Sequence, residues 1–160
     1  MIIITGEKGI GKSTILSGIN KGIDALSIYT FFKNDDLFIK ILNKSLKIAK
    51  RYYKYKCLVP IKVNMDSTAN IIENISVLNY KYIFFDEIGF IEECSLKFKK
   101  TIFYLMNKKN DSVFVLKMDD SPFIKKIERN FRQDIIHISE KNRNFIFSEL
   151  KKLFKDPHSL

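Results

Sequence analysis

The chain has 160 residues, of which 46% are apolar and 29% charged, with only six Gly and three Pro. That composition supports the core of one globular domain and excludes collagen-like or disordered architectures. No apolar run approaches the roughly 20 residues needed to cross a bilayer, and the opening Met-Ile-Ile-Ile-Thr-Gly-Glu-Lys-Gly has no leader-like apolar core, so the expectation is a cytoplasmic protein. Cys57 and Cys94 lie in neither CxxC nor CxxH spacing, which excludes a disulfide framework and argues against metal–thiolate chemistry.

Residues 1–5 form a β-branched apolar run ended by Gly6, the pattern of a strand buried on both faces in a parallel sheet. Residues 12–21 place Ile15, Leu16 and Ile19 on one helical face, with Gly22 suited to end the helix. A second strand is expected at 26–32. The stretches 38–42 and 46–51, joined by Asn43-Lys44-Ser45, read as a hairpin, although Leu42, Leu46, Ala49 and Tyr53 also fit helical spacing. Asp66 or Ser67 is expected to cap a helix reaching about Leu78, followed by a buried strand at 82–86. Beyond Gly89 the alternation continues: helix 95–106, strand 112–117, helix 122–130, strand 134–138 and helix 140–154. Alternating strands and helices imply crossover units and a mainly parallel sheet between helices. No repeat or linker divides the chain, so residues 1–160 are read as one domain.

Charge is unevenly placed along this frame. Residues 37–65 hold eight Lys or Arg and no Asp or Glu, and so carry +8 of the net +10. Interleaved with Tyr52, Tyr53 and Tyr55, this basic insertion suits phosphates and stacked bases. The other reading is a solvated Lys-rich surface in a chain with only four Arg among its 28 cations.

Gly6-Glu7-Lys8-Gly9-Ile10-Gly11-Lys12-Ser13 satisfies the phosphate-loop pattern G-x-x-x-x-G-K-[ST], after a buried strand and at the start of a helix. Glycine lets the backbone bend so that its amides converge on phosphate oxygens, and the helix N-terminus adds positive potential. In this reading Lys12 bridges the β- and γ-phosphates, the Ser13 hydroxyl is a Mg²⁺ ligand, and Thr14 is a lesser contact. Asp86 ends the apolar run 82–85, where a strand parallel to the first would bring it to the metal, and Glu87 is placed to activate the attacking water. The strand at 26–32 intervenes between the two motifs, which fits P-loop enzymes that use a glutamate as base. Lys117, Asp119 or Asp120 could sense the γ-phosphate, and Arg129, Arg132 or Arg143 could act as an arginine finger. His137, in mid-strand, and His158, in the tail, are read as structural.

The N-terminal IIITGEKGIGKST, FFDEIGFIEECSLKFKK from Phe84 onward, SPFIKKI and EKNRNFIFSELKKL together resemble the small P-loop nucleoside triphosphatases first described from thermophiles and related to the animal cancer-related nucleoside triphosphatase. The resemblance implies a three-layer fold near the RecA and AAA+ branch, here with a small β-hairpin insertion, and Mg²⁺-dependent hydrolysis of ATP, GTP and other nucleoside triphosphates with little base discrimination. Gly6, Gly11, Lys12, Ser13, Asp86 and Glu87 carry over by position. The family's acidic and Arg residues after the second strand fall instead near Phe31, Phe32, Lys33 and Asn34. Two other readings stand beside hydrolysis: a kinase passing the γ-phosphate to a small acceptor, and a nucleotide-dependent nucleic-acid-binding module using residues 37–65.

Overall fold

A computed structural model describes residues 1–55, 57–76, 80–108 and 111–155. The strands are β1 (Ile2–Gly6), β2 (Ala25–Lys33), β3 (Asp36–Ile41), β4 (Lys44–Tyr52), β5 (Cys57–Pro60), β6 (Tyr82–Ile88), β7 (Asp111–Leu116) and β8 (Ile135–Ile138). The helices are α1 (Lys12–Asn20), α2 (Lys62–Ser76), α3 (Leu96–Asn107), α4 (Pro122–Asn130) and α5 (Arg143–Lys155). All eight strands join one sheet in the order β5-β4-β3-β2-β6-β7-β1-β8. From β2 to β8 neighbours run parallel, while β3, β4 and β5 extend the sheet antiparallel from β2.

The continuous apolar runs follow from burial on both faces of the parallel part. Along β6, Ile83 and Phe85 join Met65, Ala69 and Ile72 of α2, Phe98 and Ile102 of α3 and Ile124 of α4 in one core. Phe84 points the other way, into a second core with Ile15, Leu16 and Ile19 of α1 and Leu150 and Phe154 of α5. The same division separates Ile3 from Ile4 and Phe114 from Val113 and Val115. Each such buried side chain contributes about 1.5–3 kcal/mol relative to exposure, before the entropy of ordering it. In β3 only Leu37, Ile39 and Ile41 are buried, because that strand has helices on one side alone.

The hairpin reading of residues 38–51 is the one adopted: β3 and β4 turn through Leu42, which takes a positive φ of 52°. Neither Asp66 nor Ser67 caps α2, which starts at Lys62. The carbonyl of Ile61 accepts from Asn64 and Met65, so the helix is already under way when the apolar stripe Met65, Ala69, Ile72 begins. Asp66 instead accepts a hydrogen bond from Ser95 Oγ, and Ser67 Oγ donates to Val63 O. The predicted end near Leu78 and His158 lie outside the described residues. Helix α5 begins at Arg143 rather than Glu140, because Asn142 closes a turn, accepting from Ser139 N and donating to His137 O. Strand β5 was not anticipated; four residues next to Tyr55 give little periodicity, and its pairing with β4 defines it. Among the described residues no helix is long and apolar enough to cross a membrane.

Candidate functional site

Because β1 and β6 run in the same direction, the loop after β1 and the carboxylates ending β6 emerge at one edge of the sheet. In space they are separated by β7, which pairs with both. The strand between them is therefore 111–116, a later segment than the 26–32 strand that intervenes in sequence. Two strand spacings of about 4.8 Å leave room for a phosphoryl group and a water between the loop and Glu87.

Gly6, Gly9 and Gly11 of the loop all take a positive φ, and the first and last show two different reasons for glycine. Gly6 has φ 150°, and a Cβ there would lie 2.5 Å from the carbonyl oxygen of Ile138, so no side chain fits. Gly11, the N-cap of α1, has φ 100° with open space around it, so its requirement is conformational rather than steric. Left-handed residues set among right-handed ones create the concave array of amides that binds anions. Lys12 is only 5% exposed, and its ammonium donates to Gly6 O at 2.7 Å and to Glu7 O at 2.9 Å. A buried cation thus lies along the inside of the loop.

Ser13 and Asp86 meet in one cleft, close enough for the serine hydroxyl to favour the ionised carboxylate. Burial raises the Asp86 pKa above its ordinary value, opposed by the Ser13 hydroxyl and by the Lys12 charge. Its Oδ1 is buried with no hydrogen-bond partner among the described residues. A bare buried carboxylate oxygen beside a serine hydroxyl is a donor set that fits a hard divalent cation. Among the described residues no group of three or more His, Cys, Asp or Glu gathers. A cation held here would take its remaining ligands from water and substrate oxygens, as Mg²⁺ commonly does.

Glu87 parts from Asp86. The register between β6 and β7 slips between Phe85 and Ile88, so neither carboxylate pairs with β7, while Asp86 stays in register with Tyr29 of β2. Asp86 lines a cleft of about 390 Å³ with Ser13, Asn20, Ser27, Tyr29 and Thr30. Glu87 lines a smaller one, about 90 Å³, with Thr30, Gly89, Glu92 and Lys117. The Glu87 pKa is raised, chiefly by burial, with Lys12 opposing and Asp86 reinforcing the shift. A carboxylate made more basic near a lysine is suited to taking a proton at neutral pH.

Lys117 follows β7, its amide donating to Ile88 O at 2.8 Å and its ammonium 5.0 Å from the Phe90 ring centroid. Its charge lowers the pKa of Glu87, so it belongs to the site's electrostatics. Asp119 and Asp120 are used elsewhere: Asp119 accepts from Ser121 N, and the exposed Asp120 pairs with Lys125. Of the three arginines, only Arg143 borders the loop, in a cleft of about 400 Å³ with Gly9, Ile10, Gly11, Thr14, Asn144 and Phe147. Arg129 and Arg132 lie just before β8, whose first residues pair with Ile3 and Ile4, so they sit at the edge opposite the loop. A finger role from within the same chain is thereby excluded for both by topology. Glu7, Lys8 and Ile10 remain in the loop, and Ile10 N donates to Glu7 O.

Glu92 is the residue that the sequence concealed. It reads as half of an exposed acidic pair, yet the 3₁₀ turn after Gly89 buries it to 2% exposure. Its Oε2 accepts from Gly89 N at 2.8 Å, and burial pushes its pKa up to about 8 against that hydrogen bond. At neutral pH it is a protonated acid beside Glu87 and Lys117. Its neighbour Glu93 instead accepts from Phe123 N and pairs with Lys99, fastening the start of α4.

Comparison with known proteins agrees with this geometry. A sequence model of the NTPase family matches residues 39–151. The nucleoside-triphosphatase THEP1 of Thermotoga sp. strain RQ2 is 26% identical over 96% of this chain and 95% of its own length. That of Thermotoga maritima is 24% identical over the same shares. The crystal structure of THEP1 from Aquifex aeolicus superimposes with a TM-score of 0.77 at 26% identity, covering 96% of this chain and 98% of that one. With a phosphate loop facing two carboxylates across one strand, and the family match spanning most of its length, the chain belongs to the NTPase family.

Proposed function

We propose that the chain hydrolyses Mg²⁺-bound nucleoside triphosphates to the diphosphate and phosphate. The observation that carries this reading is the meeting of Ser13 with Asp86 beside the buried Lys12 ammonium. Lys12 and the loop amides bind the β- and γ-phosphates and neutralise charge as it shifts toward the leaving oxygen. Ser13 and Asp86 would hold Mg²⁺, whose chemistry is to screen the phosphate oxygens during in-line displacement. Glu87 orients a water and accepts its proton, aided by the burial that raises its basicity. Lys117 keeps Glu87 ionised before that transfer.

The cleft formed by Thr14, Ile15, Arg143, Asn144 and Phe147 lies on the other side of the loop from Asp86 and suits the nucleoside. An aromatic ring and a guanidinium offer flat surfaces to any base, which supports broad base acceptance. A second reading rests on the hydroxyl-lined cleft of Ser27, Tyr29 and Thr30 beside Asp86, which has room for a small phosphoryl acceptor.

The test is phosphate release from the Mg²⁺ complexes of ATP, GTP, CTP and UTP, with binding followed by calorimetry. Glu87→Gln should bind nucleotide normally and lose at least about 100-fold in turnover, whereas Lys12→Ala should lose affinity. Wild-type turnover in Glu87→Gln would remove Glu87 from the chemistry. Negligible phosphate release that rises only when a hydroxyl acceptor is supplied would favour the kinase.

A further inference from the structure

The helices that cover the second core, α1 and α5, pack over β1, β6 and β7. On that side the sheet continues through β2, β3 and β4 with its face turned to solvent. Three aromatic residues follow one another there: Tyr29, Phe31 and, across the β2–β3 pairing, Phe38. Tyr29 is 39% exposed, while Phe31 and Phe38 are half-buried. Among the described residues none of the three joins either core cluster. Phe31 and Phe38 stack with ring centroids 5.6 Å apart and planes at 23°, and Tyr29 lies 6.1 Å from Phe31.

Cations frame these rings. Lys40 Nζ lies 5.7 Å from the Tyr29 centroid and Lys47 Nζ 6.0 Å from that of Phe38. A bulge in β4 turns Ile48 and Ala49 both inward, which returns Lys50 to the outer face, over Tyr52. Asp36, on β3 beside these lysines, pairs with Lys47 at 2.7 Å. Lys47 and Lys50 share the single negative charge of Asp36, and with Lys40 they leave the surface beside the aromatic row with a net positive charge.

We infer that the outer face of β2–β4 binds single-stranded nucleic acid, with bases stacked on Phe31 and Phe38 and the backbone phosphates held by Lys40 and Lys50. Charge complementarity selects a polyanion. The half-exposed rings select one whose bases are free to stack, which a paired duplex does not offer. An acidic protein would satisfy the lysines while leaving the row of rings without a specific partner. The platform starts at Tyr29, which pairs in register with Asp86 and lines the cleft beside it. A strand lying on it would end at the wall of the nucleotide site. The inference does not depend on hydrolysis, and binding is measured without nucleotide.

The experiment is fluorescence anisotropy with end-labelled oligo(U), oligo(dT) and a mixed-sequence duplex of about 12 nucleotides per strand, from about 50 to 300 mM KCl. Both single strands should bind more tightly than the duplex, and affinity should fall with salt at a log–log slope of about −1.4 for two phosphate contacts. Phe31→Leu with Phe38→Leu keeps the apolar volume and removes the ring faces; it should weaken binding at least about tenfold and leave the salt slope unchanged. Lys40→Gln with Lys50→Gln should flatten the slope. Both variants should release phosphate from Mg-ATP at the wild-type rate, which shows that they are folded. Absence of single-strand binding at the lowest salt, equal affinity for duplex, or full affinity in the leucine variant would each overturn the inference.

Discussion

Glu92 makes the stability of this protein depend on pH in a calculable direction. An unfolded glutamic acid loses its proton near 4.5, whereas the folded chain holds that of Glu92 up to about 8. Between these values the unfolded state binds fewer protons than the native state. Stability therefore falls as pH rises, by about 1.4 kcal/mol per pH unit from this group. Summed over the interval, the loss is about 4–5 kcal/mol by pH 8, a large share of what a domain this size has. Glutamine in its place keeps an oxygen to accept from Gly89 N, which the buried carboxyl does at 2.8 Å, and carries no proton to lose. Urea unfolding of wild type and Glu92→Gln at intervals from pH 5 to 8 isolates the effect, since titrations common to both cancel in the difference. The variant should gain on the wild type by about 1 kcal/mol or more per pH unit. Parallel stability curves for the two proteins would show that Glu92 titrates normally and would refute the burial argument.

Two further predictions concern the site. Burial raises the Asp86 pKa, so its ionised form costs stability that grows as pH rises above the ordinary carboxylate range. Asp86→Asn should melt at or above the wild-type temperature near pH 7 without nucleotide, and should lose the thermal stabilisation that Mg-ATP gives the wild type; a lower melting temperature on removing the charge would contradict this. Gly6→Ala forces a methyl to within 2.5 Å of a main-chain oxygen, whereas Gly11→Ala meets only an unfavourable φ. By urea unfolding, Gly11→Ala should cost about 1–2 kcal/mol and Gly6→Ala clearly more; equal costs would mean that β8 yields freely to the loop.

The site and the proposed nucleic-acid platform share one face of β2. Ser27 and Tyr29 line the cleft beside Asp86, and Phe31 carries the aromatic row outward. The resemblance to thermophilic relatives placed acidic and Arg residues after the second strand, where this chain has Phe31, Phe32, Lys33 and Asn34. In the structure Phe31 lies on the exposed face, and Phe32 lies on the other, under the Arg51 guanidinium at 5.4 Å. The departure from the family pattern thus falls at the beginning of the open sheet surface.

The phosphate loop, the carboxylates ending β6 and the alternation of strands and helices were determined by sequence alone. Each depends on contacts within a few residues or on a periodicity of burial, and glycine spacing around Lys12 has few other uses. The tertiary structure decided what depends on distant partners. Strand order put 111–116 between the two motifs, because pairing is set by side-chain packing between elements far apart in sequence. It carried Arg129 and Arg132 to the opposite edge and kept Arg143 beside the loop. It drew Glu92 inward while leaving Glu93 to fasten α4, a distinction that two adjacent glutamates do not express locally. The lysines at 40, 47 and 50 are spaced i, i+7 and i+10, which in the chain suits one face of a helix and not the alternation of a strand. The β3–β4 pairing puts Lys40 and Lys47 on one face, and the β4 bulge brings Lys50 back to it, because the extra residue there shifts the side-chain alternation by one.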